Sequence, residues 1–281
     1  MTYPTGEIVT EQCDWIAFTV PFYKDLKWPD FIEQKWKDIR PFRKGYDKAQ
    51  ENSQGVQILW HTTNAGQGKH VILNGSTLTR INRRGEILKW VQSATYHVTR
   101  LDLCIDFINS NINPRNATYY LERKLVKTHA RSIPQYEDKW QGGYTQYVGK
   151  KSSETFLRIY DKSSELQIKK PWIRAEIVFS GDRATHALKT YLQCESVSQM
   201  VNGFVEFPRW KKWNTLVSRG KAQLSIPPKE TSTRAWLMGQ VAKSIAKEMA
   251  LEDSHEFWIN FQQKIREEYF ALTQTNEQID W

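Results

Sequence analysis

The chain has 281 residues, 40% hydrophobic and 13% aromatic, enough for one large domain or a catalytic domain with an appendage. No stretch approaches the ~18 uninterrupted apolar residues of a membrane helix, and the N-terminal MTYPTGEIVTEQCDW lacks a signal pattern, so a cytoplasmic protein with no membrane contact is expected. The net charge of +9 favours a polyanionic partner.

Along the chain, Asp14–Phe22, Gly55–Thr62 and His70–Leu73 read as strands. Ser76–Trp90 reads as a capped helix weakened by Gly85. Tyr96–Phe107 is a strong strand and Asn113–Leu125 a helix. Tyr144–Val148, Glu154–Lys162 and Trp172–Phe179 read as three more strands, and Asp182–Cys194 as a helix after a break at Gly181. Phe207–Lys221 holds five basic residues and no acidic one. Basic groups neutralise phosphates and indole rings stack on bases. Arg209, Lys211, Lys212, Trp210 and Trp213 are therefore expected DNA contacts. Ser225–Thr233 is a polar, proline-containing linker. Beyond it, Trp236, Val241, Ile245 and Met249 mark one amphipathic helix. Phe257, Phe261, Ile265 and Tyr269 mark another, with Ser254 as N-cap. Strands mixed with helices, without regular βαβ alternation, predict an α+β fold. The sheet is expected to be largely antiparallel with flanking helices, over residues 1–224, and 225–281 to form a linker and helical C-terminal extension.

Alternate residues of a strand face opposite sides. In Tyr96–Phe107, Leu101, Leu103, Ile105 and Phe107 share one face, and Arg100, Asp102, Cys104 and Asp106 the other. In Trp172–Phe179, Ile173, Ala175, Ile177 and Phe179 oppose Arg174 and Glu176. In Glu154–Lys162, Leu157 and Ile159 oppose Phe156, Arg158, Tyr160 and Lys162. An ordinary half-solvated sheet also has a charged outer face. Here, however, each face repeats an Arg two residues from a carboxylate or a Tyr: Arg100 with Asp102, Arg158 with Tyr160, Arg174 with Glu176. Asp, disfavoured in strands, appears twice on one face.

If the three faces meet in one sheet, Asp102, Asp106 and Glu176 converge near a tyrosine and several cations. Clustered carboxylates repel unless a cation is bound, and such oxygen ligands suit Mg²⁺ or Mn²⁺. A metal beside a tyrosine in a basic protein points to phosphoryl transfer. Arg158 and Lys162 are expected to favour the phenolate of Tyr160 by opposite charge, which would activate it as a nucleophile. Arg100 and Arg174 are further expected phosphate contacts.

These strands resemble the replication initiation factors of staphylococcal-type rolling-circle plasmids and the related relaxases of conjugative elements. The matching segments, in order, are TRLDLCIDF at 99–107, TQYVG at 145–149, FLRIYDK at 156–162 and WIRAEI at 172–177. The resemblance covers roughly 96–190 well and the flanks weakly. It implies that Tyr160 attacks one strand of origin DNA, leaving a 5′-phosphotyrosyl link and a free 3′-OH. It implies that Asp102, Asp106 and Glu176 are metal ligands, and that Arg158 and Lys162 assist at the phosphate. It implies as partners duplex and single-stranded origin DNA, a host helicase with the replication machinery, and a second copy of the chain. No N-terminal helix-turn-helix is evident, and the family's origin-specificity segment has no residue-by-residue match.

Two other function classes compete. A non-catalytic origin-binding protein would keep the basic, Trp-rich segment without needing the three carboxylates together. A metal-dependent nuclease using water would need the carboxylates and leave Tyr160 as packing. A covalent DNA adduct separates the first reading from both. Tyr147 is the rival nucleophile, read as a cross-strand aromatic, and His97 alternates onto the apolar face of its strand as a structural residue. None of the six His forms a His-x-His motif. Cys13, Cys104 and Cys194 are too far apart in sequence for a CxxC, so neither a zinc cluster nor a disulfide framework is indicated.

Overall fold

A computed structural model describes residues 6–22, 26–63, 68–94, 96–128, 130, 135–137, 143–218, 220–224, 245 and 254–276. The chain divides into two compact units, Met1–Ile226 and Pro227–Trp281.

The first unit is built on a ten-stranded sheet. In chain order its strands are β1 (Ile8–Val20), β2 (Trp36–Ile39), β3 (Lys48–Asn52), β4 (Gln57–Trp60), β5 (Lys69–Asn74), β6 (His97–Ile108), β8 (Gln135–Glu137), β9 (Tyr144–Val148), β10 (Thr155–Asp161) and β11 (Trp172–Ser180). Their spatial order is β2-β3-β4-β5-β1-β6-β11-β10-β9-β8, and every neighbouring pair is antiparallel. Two short strands, β7 (Lys127–Thr128) and β12 (Val205–Glu206), pair separately. The α+β, antiparallel expectation is the architecture found.

One face of the sheet carries the main core. Leu101, Leu103, Ile105 and Phe107 of β6, Leu157 and Ile159 of β10, and Ala175 and Ile177 of β11 are all fully buried there. Helices cover this face: α1 (Gly75–Ile81), α2 (Arg84–Ser93), α3 (Pro114–Glu122), α5 (Asp182–Cys194), α6 (Val197–Phe204) and α7 (Lys211–Leu216), while α4 (Lys162–Leu166) follows β10 directly. Glu11 of β1 ties α6 to the sheet by accepting from the backbone N–H groups of Val197 (2.7 Å) and Ser198 (3.2 Å) at its first turn.

The single helix expected over Ser76–Trp90 is two helices. The break falls at Asn82, in the left-handed region with φ of 55°, not at Gly85, where an added Cβ would meet nothing within 4 Å. Asn tolerates this conformation better than most residues.

Two bulges shift the phase of the central strands. Ala17 pairs with Arg100 and Phe18 with Val98, so Thr99 is an extra residue in β6. That slip puts Val98 in the core and leaves His97 exposed, which corrects its expected place on the apolar face. Cys13 pairs with Leu103 and Trp15 with Asp102, so Asp14 is the extra residue in β1.

In the second unit, α8 (Ser254–Asn276) carries Phe257 and Phe261 stacked at 5.8 Å, along the expected stripe. Ile265 on that stripe is exposed. Ser254 is the first helical residue. The linker over 225–233 and, apart from Ile245, the helix expected through Trp236 and Met249 lie outside the described residues. Among the described residues no helix is long and apolar enough to cross a membrane.

Candidate active site

The register of β6, β11 and β10 brings the three ionisable faces into one patch. Asp106 pairs with Arg174, and Arg174 with Tyr160; Cys104 pairs with Glu176, and Glu176 with Arg158. This face is not the solvated outer surface of a half-buried sheet. Asp102, Asp106, Arg174, Glu176 and Tyr160 are all buried. Buried charge must be paired and hydrogen-bonded, and here each carboxylate has its own guanidinium.

Asp102 accepts from Arg100 Nε at 2.9 Å and Nη2 at 2.6 Å. Asp106 accepts from Arg174 Nε at 2.7 Å and Nη2 at 2.9 Å, from Trp172 Nε1 at 2.6 Å and from Gln12 Nε2 at 3.3 Å. Glu176 accepts from Arg158 Nη2 at 2.6 Å through one oxygen and from the Tyr160 hydroxyl at 3.0 Å through the other. Arg174 Nη1 reaches Asp14 at 2.9 Å. Asp14 was not among the expected site residues. It sits beside Arg174 because it is the bulged residue of β1, and alternation alone would not place it.

The electrostatics correct one expectation. Burial raises the Tyr160 phenol well above its usual range, the negative Glu176 raises it further, and Arg158 opposes both less strongly. The resting group is therefore the neutral phenol, not a phenolate drawn out by Arg158 and Lys162. Burial alone would raise Glu176, but the charge and hydrogen bond of Arg158 outweigh it and hold that carboxyl below its usual range. Glu176 is thus an ionised acceptor already hydrogen-bonded to the phenolic proton. Lys162 begins α4 rather than ending a strand; its Nζ lies 5.8 Å from the Tyr160 ring centroid and pairs with Glu165 at 2.8 Å.

Asp102, Asp106 and Glu176 have hard oxygen donors suited to Mg²⁺ or Mn²⁺. In this arrangement all six of their oxygens accept from arginine, indole, amide or phenol. Among the described residues no group of three or more His, Cys, Asp or Glu is spaced to hold a metal ion. The expected ligand set does not fit one shared ion as it stands, because each carboxylate oxygen already accepts a hydrogen bond.

Burial pushes Asp102 up to about 7, against the pull of Arg100 and with help from Glu176. A carboxyl with a raised folded value holds its proton more tightly when folded. Its stabilising contribution is complete below the unfolded value and is lost as pH rises towards 7. Asp102→Asn is therefore expected to flatten the fall in melting temperature between mildly acidic and neutral pH. An unchanged pH slope in thermal unfolding would contradict this.

The basic segment also differs from expectation. Trp210, which caps α7, and Trp213 within it are 3% and 1% exposed and stack on each other at 5.2 Å. They belong to the core with Phe207 and Phe107, so neither ring is free to stack on a base. Lys212 pairs with the buried Glu7 at 2.5 Å. Arg209 and Lys211 are exposed, and Arg219 lies outside the described residues. Tyr147 pairs with Arg158 across the sheet and packs near Phe156 as a buried cross-strand aromatic; no described carboxylate is hydrogen-bonded to its hydroxyl.

The antiparallel sheet with its flanking helices, and the ordered segments along β6, β9, β10 and β11, define an initiator of replication. The chain is a member of the replication initiation factor family, whose sequence model matches residues 96–260. Among solved structures it is similar to a rolling circle replication initiator protein from Geobacillus stearothermophilus. The TM-score is 0.57 at 18% identity, over 75% of this chain and 93% of that one, a likeness of fold. No curated protein matches it.

Proposed function

We propose that this chain initiates rolling-circle replication by nicking one strand of its origin DNA through Tyr160. The observation that carries the reading is the 3.0 Å hydrogen bond from the Tyr160 hydroxyl to Glu176. A buried phenol held above its usual range needs a base to attack at neutral pH, and the Glu176 carboxylate is the acceptor already bonded to its proton. As the phenolic oxygen bonds to phosphorus, Glu176 takes its proton. The bond from phosphorus to the 3′ oxygen breaks, and that oxygen takes a proton from water. The products are a 5′-phosphotyrosyl link and a free 3′-OH that primes synthesis.

Arg158 is the phosphate-holding residue in this reading. Its guanidinium carbon lies 5.0 Å from the Tyr160 ring centroid, its side chain is 34% exposed, and its Nε–H is buried without an acceptor among the described residues. The exposed part of that guanidinium would hold a phosphate oxygen and offset the charge developing on it in the transition state. Arg100, equally exposed at 34%, flanks the same patch. Arg174, locked between Asp14 and Asp106, is a scaffold residue, not a DNA contact.

The test is to incubate the full chain with supercoiled origin DNA and Mg²⁺ or Mn²⁺, denature it, and map the nucleotide-bearing peptide by mass spectrometry. The adduct is expected on the peptide containing Tyr160. An adduct on Tyr147, or nicked DNA with no adduct, would overturn the reading; the latter outcome favours a water-using nuclease.

A further inference from the structure

A second basic, aromatic surface lies away from the tyrosine, between α3 and α7. It is a cavity of about 730 Å³ whose lining includes Arg115, Asn116, Tyr119, Arg209 and Lys211, and no carboxylate among the described residues. We propose that this groove binds single-stranded DNA, with Tyr119 as the stacking platform and Arg209 and Lys211 on the backbone phosphates. The proposal rests on the reading that the chain acts on origin DNA.

Tyr119 is 47% exposed, unusual for a large aromatic ring on a helix that packs onto the sheet. Its position is braced from two sides. Arg123 lies over the ring at 3.9 Å from its centroid, and Tyr120 meets it edge-on at 5.2 Å. Tyr120 in turn stacks on Trp210 at 5.6 Å, and Trp210 on Trp213. The buried tryptophans therefore do not touch DNA themselves. They form a stack that ends at Tyr120, whose edge-on contact holds the exposed, guanidinium-backed ring of Tyr119 in place.

A base stacked on Tyr119 would rest on a ring whose orientation is fixed by Tyr120 and Arg123. Stacking of this kind is tolerant of sequence, because every base has a π-face, and it needs an unpaired base. The cations are placed to match. Arg209 and Lys211 are exposed and have no ion-pair partner among the described residues, whereas Lys212 is engaged by Glu7. Arg115 lies over the Tyr144 ring at 4.4 Å and adds positive charge to the rim of the groove. Aromatic rings beside cations that track a backbone are what a non-specific single-strand site requires, and no hydrogen-bonding reader of base edges is needed.

The experiment measures binding of the full chain to a short fluorescein-labelled oligo(dT) and to a blunt duplex, by anisotropy across a salt series. Tyr119→Ala is expected to weaken oligo(dT) binding about tenfold, the loss of one stacked base, with duplex binding near wild type. Tyr119→Phe and Tyr119→Trp keep the ring and should bind as the wild type does. The Arg209→Ala, Lys211→Ala pair should reduce the log–log salt slope for oligo(dT) by roughly 1.4, at about 0.7 per phosphate contact. Wild-type oligo(dT) affinity in Tyr119→Ala would overturn the proposal, as would equal losses on single strand and duplex. Oligo(dT) carries no origin, so the assay is independent of nicking. A chain that binds it through Tyr119 but never forms a covalent adduct would sink the Tyr160 reading and leave this one standing.

Discussion

Tyr160→Phe is expected to abolish both nicking and covalent attachment while DNA binding stays near wild type. The substitution removes one oxygen and keeps the ring, which is buried on the sheet. Glu176 loses one donor but keeps Arg158 at 2.6 Å on its other oxygen, so the carboxylate remains paired. The fold should therefore survive, and near-ultraviolet circular dichroism checks that it does. The phenolic oxygen is the atom that would bond to phosphorus, so no residual covalent route is left. A tyrosine that served only as packing would give a Phe variant with near-normal nicking. The discriminating measurement is the denaturant-resistant protein–DNA species on a gel. If the Phe variant still forms it, the nucleophile lies elsewhere.

Arg174→Ala is expected to be the most destabilising single change in the polar face. Its guanidinium is 5% exposed and binds Asp106 with two nitrogens and Asp14 with a third. Its removal strands a buried aspartate, and breaking such a pair costs about 3–5 kcal/mol. Arg174→Lys should recover only part of this, since one ammonium cannot reproduce the planar fork. Arg100→Ala offers the contrast. Arg100 is partly solvated, so water can reach the site it leaves, and the loss should be smaller. Urea midpoints rank the three variants; an Arg174→Ala protein as stable as Arg100→Ala would refute the clamp.

The central strands were legible in the sequence because β6, β10 and β11 are long enough to show a clean period of two. Their shared face follows from that period. The partners on that face do not. Alternation puts Arg174 and Asp106 on one side of a sheet, but only the register between β11 and β6 makes them a bidentate pair. The period of two puts Asp102, Asp106 and Glu176 on one face, but it does not reveal that each is already hydrogen-bonded to an arginine. Asp14 was invisible because a bulge carries no signature in WIAF or EQCDW. The edge strand β2 and its neighbour β3, reading WKDI and KAQEN, are short and show no clean apolar alternation, and were missed for that reason. Trp210 and Trp213 were misplaced because composition cannot tell an indole in the core from one beside it. The same fifteen-residue window holds exposed cations and buried rings, and the burial pattern of α7 alone separates them.

The pairing of every carboxylate with a guanidinium also decides how far this patch can act. Opposite charges at hydrogen-bond distance largely cancel one another's field within a few ångströms, so the reacting region has little pull on a distant polyanion. The chain's excess of nine positive charges must exert its attraction from other parts of the surface. In the proposed reaction, arrival of DNA and bond-making would thereby fall to separate sets of cations. Added salt screens the solvated set and slows encounter. Pairs at hydrogen-bond distance are screened less, so in the proposed reaction the cleavage rate of a complex already formed would depend on ionic strength less than its assembly does.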